Sequence, residues 1–306
     1  MITEENNTVK LIEIINGTLL SDASVRIYKN KYYWYSLNAR SPKFLKWVSK
    51  IFEKFKIPTY ITVNNKISKV FTLGFYINAR KHKWLLSLRN KWYKKINGKS
   101  IKIVPRDLKL TPTTLLFWYL GDGSLIRRKK DLSRIPFIVL ATNNFLEEDI
   151  EFLIKKLQEL GLNFYPVKYK SGFTGNPCGY CLYSNTKDGT PFRFFQLIGF
   201  KCPKEIAECI TGRKGKYGEV HYFKEKWPNE EDWIKILSNV KIGGILRKRR
   251  FELGLTQDQL AKKIGIRKEN IRDVELEKRN FSVANFRKIL GVLNIEITYI
   301  LERIAE

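Results

Sequence analysis

The spacing of apolar positions divides the chain into short alternating segments. Residues 8–20 place Leu11, Ile14, Ile15 and Leu19 at helical spacing and predict a first helix. Ser24 to Lys31 and Tyr32 to Asn38 alternate as two strands around a Lys29-Asn30-Lys31 turn. From Lys43 to Phe55, six apolar residues (Phe44, Leu45, Val48, Ile51, Phe52, Phe55) share one helical face; Ser41-Pro42 starts this helix and Pro58 stops it. Two further strands are expected near 59–64 and 69–77, then a basic helix near 81–93.

The same order then returns. An apolar helix ends at Leu115-Leu116-Phe117-Trp118-Tyr119-Leu120, and a charged turn, Arg127-Arg128-Lys129-Lys130, follows. A strand is expected over 137–141 and a helix over 146–160, whose Glu147, Glu148 and Asp149 suit the positive end of a helix. Strands near 163–169 and 179–184 and a helix near 191–199 complete the second round. Helix, two strands, helix, two strands, helix thus occurs twice at a spacing of about 100 residues, an internal duplication.

The duplicated pattern carries one chemical feature. Leu20-Ser21-Asp22-Ala23-Ser24 and Leu120-Gly121-Asp122-Gly123-Ser124 both read Leu, small, Asp, small, Ser, and each closes an apolar helix. The C-terminus of a helix carries partial negative charge, so a carboxylate there is disfavoured. A chain that accepts this cost twice has a use for the charge, and a divalent cation is the obvious partner. Taken singly, each Asp also reads as an ordinary helix-ending turn.

These two segments resemble the signature helices of the LAGLIDADG homing endonucleases, over roughly residues 8–212. The second copy, with Leu110-Thr111-Pro112 before it, is close; the first has Ser21 and Ala23 where glycines are common. Lys102-Ile103-Val104-Pro105 also fits the single-chain members. The resemblance implies an α+β fold: two pseudo-symmetric αββαββα repeats forming a DNA-binding saddle. Asp22 and Asp122 would meet at the tips of the two helices, with small residues at 17, 21, 23, 121 and 123 permitting close approach. They would hold Mg²⁺, for which Mn²⁺ can substitute, with the carbonyls of Ser21 and Gly121, phosphates and water completing the shell. The family also places a lysine near each metal. Lys102 fits the first position, with Lys99 as the alternative; in the second half only Lys201 and Lys204 come near. Outward residues Arg26, Tyr28, Lys29, Lys31, Tyr33, Tyr35, Arg127 and Arg128 would face DNA.

The last 66 residues have a different, all-helical period. Helices are expected at 242–253, 256–264 with Thr256 as N-cap, 268–276, 282–293 and 298–304. The Thr256-Gln257-x-x-Leu260-Ala261…Ile264-Gly265-Ile266 pattern resembles the phage-repressor (Cro-type) helix-turn-helix domain. That resemblance implies major-groove contacts from the third of these helices, through Lys268, Glu269, Asn270, Arg272 and Asp273, and an internal pair between Arg250 and Glu275. A helical bundle used for dimerisation is the alternative. The expected domains are a first repeat (1–110), a second repeat (111–212), a connector (213–240) and the helix-turn-helix domain (241–306).

Charge agrees with a polyanionic partner. The 306 residues carry a formal net charge of +27. From 23 to 106 there are 21 Lys or Arg against one acid, Glu53, whereas a merely solubilising surface mixes signs. Hydrophobic content of 43% and 13% aromatics support real cores. Four cysteines, Cys178, Cys181, Cys202 and Cys209, lack the spacing and nearby His of a zinc site and read as reduced thiols. His82 and His221 are the only histidines, which argues against His-based chemistry. No apolar run reaches 18 residues and Met1-Ile2-Thr3-Glu4-Glu5 begins no signal peptide, so a soluble, cytoplasmic, nucleoid-associated protein is expected. Three activities remain open: a metal-dependent endonuclease acting as a monomer on double-stranded DNA, a non-catalytic DNA-binding regulator on the same fold, and an intron RNA maturase.

Overall fold

The computed structural model describes residues 4–28, 32–65, 70–78, 83–128, 134–170, 177–215, 218–221 and 223–305. The first repeat runs α1 (Glu4–Leu19), β1 (Ala23–Tyr28), β2 (Tyr32–Ala39), α2 (Pro42–Lys54), β3 (Tyr60–Asn65), β4 (Val70–Asn78) and α3 (Lys83–Trp92). A hairpin the sequence reading did not anticipate follows, β5 (Tyr93–Ile96) and β6 (Lys99–Lys102). The second repeat runs α4 (Pro112–Asp122), β7 (Gly123–Ile126), β8 (Phe137–Ala141), α5 (Glu147–Glu159), β9 (Phe164–Lys170), β10 (Pro177–Ser184) and α6 (Thr190–Ile198).

Each repeat builds a four-stranded sheet, ordered β1-β2-β4-β3 and β7-β8-β10-β9. The matching orders are the structural form of the duplication. In the first sheet the antiparallel register sets Val25 against Tyr35 and Ile27 against Tyr33, while Arg26 faces Trp34. Residues opposite one another share a face. Tyr33 and Tyr35 therefore lie on the face of Val25, not on that of Arg26. Tyr35 is fully buried, stacked on Phe75 at 4.7 Å and edge-on to Phe52. The amphipathic α2 supplies this core with Phe44, Leu45, Val48 and Phe52, and Ser41 caps it through Phe44 N.

Residues 213–240, expected as a connector, are structured. They hold most of a second hairpin, β11 (Ile210–Gly215) and β12 (Gly218–His221), then a single 3-10 turn (Lys224–Lys226) and α8 (Glu230–Leu237); the short α7 (Lys204–Ala207) precedes them. Asn229 and Asp232 form a capping box on α8.

The chain divides into two compact units: 1–124 with 138–183 and 201–227, and 125–137 with 184–200 and 228–306. The second contains the terminal helices α9 (Gly243–Glu252), α10 (Gln257–Ile264), α11 (Lys268–Glu275), α12 (Val283–Leu293) and α13 (Ile297–Ala305). Thr256 and Gln259 close a capping box on α10, and Gly265 ends it in the left-handed region at φ 76°. Among the described residues, no helix is long and apolar enough to cross a membrane.

Candidate active site

Helices α1 and α4 pack against each other closely enough that glycine is required at their crossing. A Cβ on Gly17 would lie 2.5 Å from Thr114 O and 2.7 Å from Phe117 Cβ. One on Gly121 would lie 2.3 Å from Ser21 Oγ. Phe117, the residue matching Gly17 in the second copy, fills the space that Gly17 leaves and stacks on Trp47 at 5.6 Å. Thr114 Oγ1 donates across the interface to Glu13 O at 3.2 Å.

This crossing brings the two motif aspartates into one electrostatic neighbourhood with two lysines. Lys102, the last residue of β6, donates from Nζ to Ser21 O at 3.0 Å and Ala23 O at 2.9 Å. Lys226, in the turn before α8, donates to Tyr119 O, Leu120 O and Gly121 O at 3.2, 2.7 and 3.1 Å. Lys226 thus satisfies the last carbonyls of α4, Lys102 satisfies the carbonyls on either side of Asp22 in the turn after α1, and each offsets the carboxylate placed at a helix's negative end. The expected Lys102 is where the pattern put it, and Lys99 is exposed instead. In the second half Lys201 and Lys204, which only come near the matching position, are exposed, and the lysine at the end of α4 is Lys226, 95% buried. A signal existed, since Lys226-Trp227-Pro228 is another lysine just ahead of a proline. The β11–β12 hairpin displaces it from the 100-residue spacing.

Burial raises the Asp22 pKa, against the opposing pull of Lys226 and Lys102. Asp122 is pushed up to about 7, chiefly by burial and then by the charge of Asp22, with Lys102 and Lys226 opposing. Burial lowers Lys102 to about 8 and Lys226 to about 7, and both aspartates pull each of them back up. Four groups therefore titrate against one another across one site.

The donor set suits a hard divalent cation. Two carboxylates and the carbonyls of Ser21 and Gly121 are all oxygen donors, the kind Mg²⁺ takes. The raised aspartate pKa values come chiefly from burial of the carboxyl groups, which the two lysines oppose. The two carbonyls already accept from Lys102 and Lys226, and each oxygen keeps a second lone pair. Among the described residues no cluster of three or more His, Cys, Asp or Glu could hold a metal, so a cation at Asp22 and Asp122 would complete its shell with water and phosphate.

The expected DNA-facing residues divide. Arg26 is exposed on the outer face of the first sheet, beside Trp34 and Tyr60, whose rings lie 5.2 Å apart and which the sequence reading passed over. Tyr33 and Tyr35 do not belong there: both are buried, and the Tyr35 hydroxyl bonds Thr18 Oγ1 at 2.7 Å. Lys29 and Lys31 lie outside the described residues. Arg127 pairs with the buried carboxylate of Asp232 at 2.7 Å while its side chain stays 36% exposed. Arg128 is exposed, its guanidinium 5.6 Å from the Phe137 ring.

In the terminal helices, Lys268 and Arg272 are exposed on α11; Arg272 lies along Asp273, and Asn270 Oδ1 accepts from Arg279 at 2.8 Å. Arg250 and Glu275 form the expected internal pair, bidentate at 2.6 and 2.9 Å, with Gln257 adding a bond at 2.8 Å.

Paired acid-tipped helices and duplicated four-stranded sheets define a two-repeat scaffold, followed by five terminal helices within the second compact unit. The profile of the LAGLIDADG DNA endonuclease family matches residues 12–192, and the chain belongs to that family; a helix-turn-helix profile matches residues 245–300. The chain is 28% identical over 172 residues to an uncharacterised protein of Methanocaldococcus jannaschii, MJ1098, a match covering 53% of this chain and 61% of that one. It thus spans about three-fifths of the curated relative it matches. Among solved structures, the homing endonuclease I-WcaI bound to its DNA recognition sequence matches at TM-score 0.45 and 19% identity, over 61% of this chain and 79% of that one. I-DmoI in complex with DNA and Mn matches at TM-score 0.39 and 14% identity, over 62% and 96%. The N-terminal LAGLIDADG domain of DUF199/WhiA matches at TM-score 0.38 and 12% identity, over 62% and 82%.

Proposed function

We propose that the chain is a sequence-specific endonuclease that hydrolyses phosphodiesters of double-stranded DNA with divalent metal held by Asp22 and Asp122. The observation that carries this reading is the quartet of Asp22, Asp122, Lys102 and Lys226 at the adjoining ends of α1 and α4. A fold kept only for binding has no need of two carboxylates whose own burial raises their pKa.

Hydrolysis attaches a water oxygen to phosphorus and breaks the bond to one bridging oxygen, which leaves as an alkoxide and must gain a proton. When bound, Mg²⁺ supplies charge neutralisation for the phosphate oxygens and a more acidic water. Asp22 and Asp122, with the Ser21 and Gly121 carbonyls, would hold it. Lys102 and Lys226 fix those carbonyls, so the backbone donors do not swing when substrate arrives. Burial lowers their Nζ groups to about 8 and about 7, and the positive charge they carry offsets the two aspartates beside them. Arg26 and Arg128 on the outer strands would meet phosphates or base edges. The helix-turn-helix segment, through Lys268 and Arg272, would add a second DNA contact and raise the effective concentration at the target.

The helix-turn-helix match favours a second reading, a DNA-binding regulator that does not cut. One experiment separates them. Cleaved sequences are selected from a plasmid library in Mg²⁺, with the Asp22→Asn, Asp122→Asn double variant in parallel. Cutting by the parent alone supports the nuclease. Salt-sensitive duplex binding without cutting in Mg²⁺ or Mn²⁺ refutes it in favour of the regulator, and preference for structured RNA refutes both.

A further inference from the structure

The β5–β6 hairpin is a feature the catalytic account leaves unused. It forms a two-stranded sheet of its own, joined to neither four-stranded sheet. Its turn is Asn97-Gly98, with φ 50° and 77°, the positive-φ pair of a tight type I′ hairpin turn. A Cβ on Gly98 would meet nothing within 4 Å, so the tip stands clear of the protein. Successive residues of a strand point to opposite faces, yet Lys94 and Lys95 are both exposed, as are Lys99 and Ser100. Neither face of the distal hairpin is covered. Between Tyr93 and Lys102 there are three lysines and no acid.

An isolated two-stranded hairpin is at best marginally stable in water, and among the described residues this one is held mainly at its base, with one further bond at Ser100. Ile103 N donates to Trp92 O at 2.8 Å, and the buried Trp92 indole donates to Asn16 of α1 at 3.2 Å. Tyr93 Oη accepts from Val25 N at 3.1 Å, while Arg89 donates to Val25 O at 2.7 Å and to Ser100 Oγ at 3.1 Å. These contacts cap the open edge of β1. They also bring Arg89 over the Tyr93 ring at 4.4 Å and place Arg26 close enough to lower the Tyr93 pKa, although burial raises it overall. The hairpin therefore continues the basic outer face of the first sheet past its edge strand.

We propose that the β5–β6 hairpin is a phosphate-gripping arm, in which Lys94, Lys95 and Lys99 contact the backbone of double-stranded DNA beyond the reach of the sheet. This rests on duplex DNA being the partner. Tyr93 pairs with Lys102 at the hairpin base, so the arm and the lysine that holds the Ser21 carbonyl belong to one hairpin. The second half repeats the placement: the β11–β12 hairpin, with Arg213 and Lys214 in its first strand, stands five residues before Lys226.

The test measures duplex affinity against salt for the full chain and two triple variants. Lys94→Gln, Lys95→Gln, Lys99→Gln removes the arm's charge. Lys46→Gln, Lys50→Gln, Lys54→Gln removes the same charge from the exposed side of α2. A third variant with arginine at 94, 95 and 99 keeps the arm's charge, and circular dichroism confirms that all are folded. Each lost phosphate contact lowers the slope of log K against log salt by about 0.9. The arm glutamine variant should lose about 2 to 3 in slope, the α2 variant less than about 1, and the arginine variant essentially none. Equal losses for the two glutamine variants overturn the proposal while leaving the DNA reading intact. A parent chain with no salt-dependent duplex binding overturns both, and a loss seen with structured RNA but not duplex DNA overturns the arm's assignment to DNA.

Discussion

Replacing Gly17 by Ala tests whether the approach of α1 and α4 is what assembles the site. In an exposed helix the change is favourable, because alanine gains about 1 kcal/mol over glycine in helix propensity. At Gly17 the new methyl would sit 2.5 Å from Thr114 O, 2.7 Å from Phe117 Cβ and 3.2 Å from Thr114 C. Two of those atoms are backbone and the third is the root of a buried side chain, so no flexible group can move aside. The helices must separate by roughly 1 Å, and overpacking of this kind costs about 1–3 kcal/mol. The Thr114 Oγ1 bond to Glu13 O, already 3.2 Å, would lengthen with it, forfeiting up to about 1 kcal/mol. Set against the propensity gain, the net loss is about 0–3 kcal/mol, centred near 1–2 with overpacking as the dominant cost. Gly291 provides the reference. It is exposed in α12, and its Cβ would meet nothing within 4 Å, so Gly291→Ala should stabilise by roughly 0.5–1 kcal/mol. Urea titration of the two variants beside the parent reads both signs. A Gly17→Ala protein as stable as Gly291→Ala would refute the close crossing, and with it the joining of Asp22 and Asp122.

Three further outcomes follow from the same physical accounting. Asp122 has a folded pKa of about 7 against an ordinary 3.8, so in metal-free solution its contribution is present at low pH and lost as pH rises through 7; Asp122→Asn should flatten the stability profile across that window, and a parallel decline in both proteins would contradict it. Under the proposed metal role, Mg²⁺ at about ten times its Kd should raise parent stability by roughly 1.4 kcal/mol and leave Asp122→Asn unmoved. Arg250→Ala strands Glu275, whose side chain is only 4% exposed, and should cost about 3–5 kcal/mol, whereas replacing both partners by methionine should cost far less; thermal melts of the single and double variants decide it. Burial and neighbouring Cys209 push the half-buried Cys202 thiol up to about 12, so iodoacetamide at pH 8 should label it more slowly in the native protein than in urea, and equally rapid native labelling would refute the raised pKa.

What the sequence disclosed, and what it concealed, follows from the range of the interactions involved. Periodicity is local, so α2, with its apolar face and Ser41 cap, and the capping box at Thr256 were readable residue by residue. The motif aspartates were readable because a carboxylate at a helix end is locally unfavourable and recurs. The face of a strand is a different matter. Arg26 and Tyr33 belong to separate strands, and which of them share a face depends on how many residues the turn consumes. The observed register pairs Arg26 with Trp34, one position from the tyrosines, and that single step turns every side chain of β2 over. Lys226 was concealed for a longer-range reason. It reaches the end of α4 from 105 positions away in the bond to Gly121, after a hairpin with no motif of its own. Its function depends on three carbonyls aimed at one point, and a carbonyl carries no sequence letter. A lysine that answers to backbone oxygens leaves no partner residue to search for. In a duplicated chain the better guide is symmetry of role: once Lys102 is seen to close one acid-tipped helix, the other helix end needs a buried cation too, wherever along the chain it comes from.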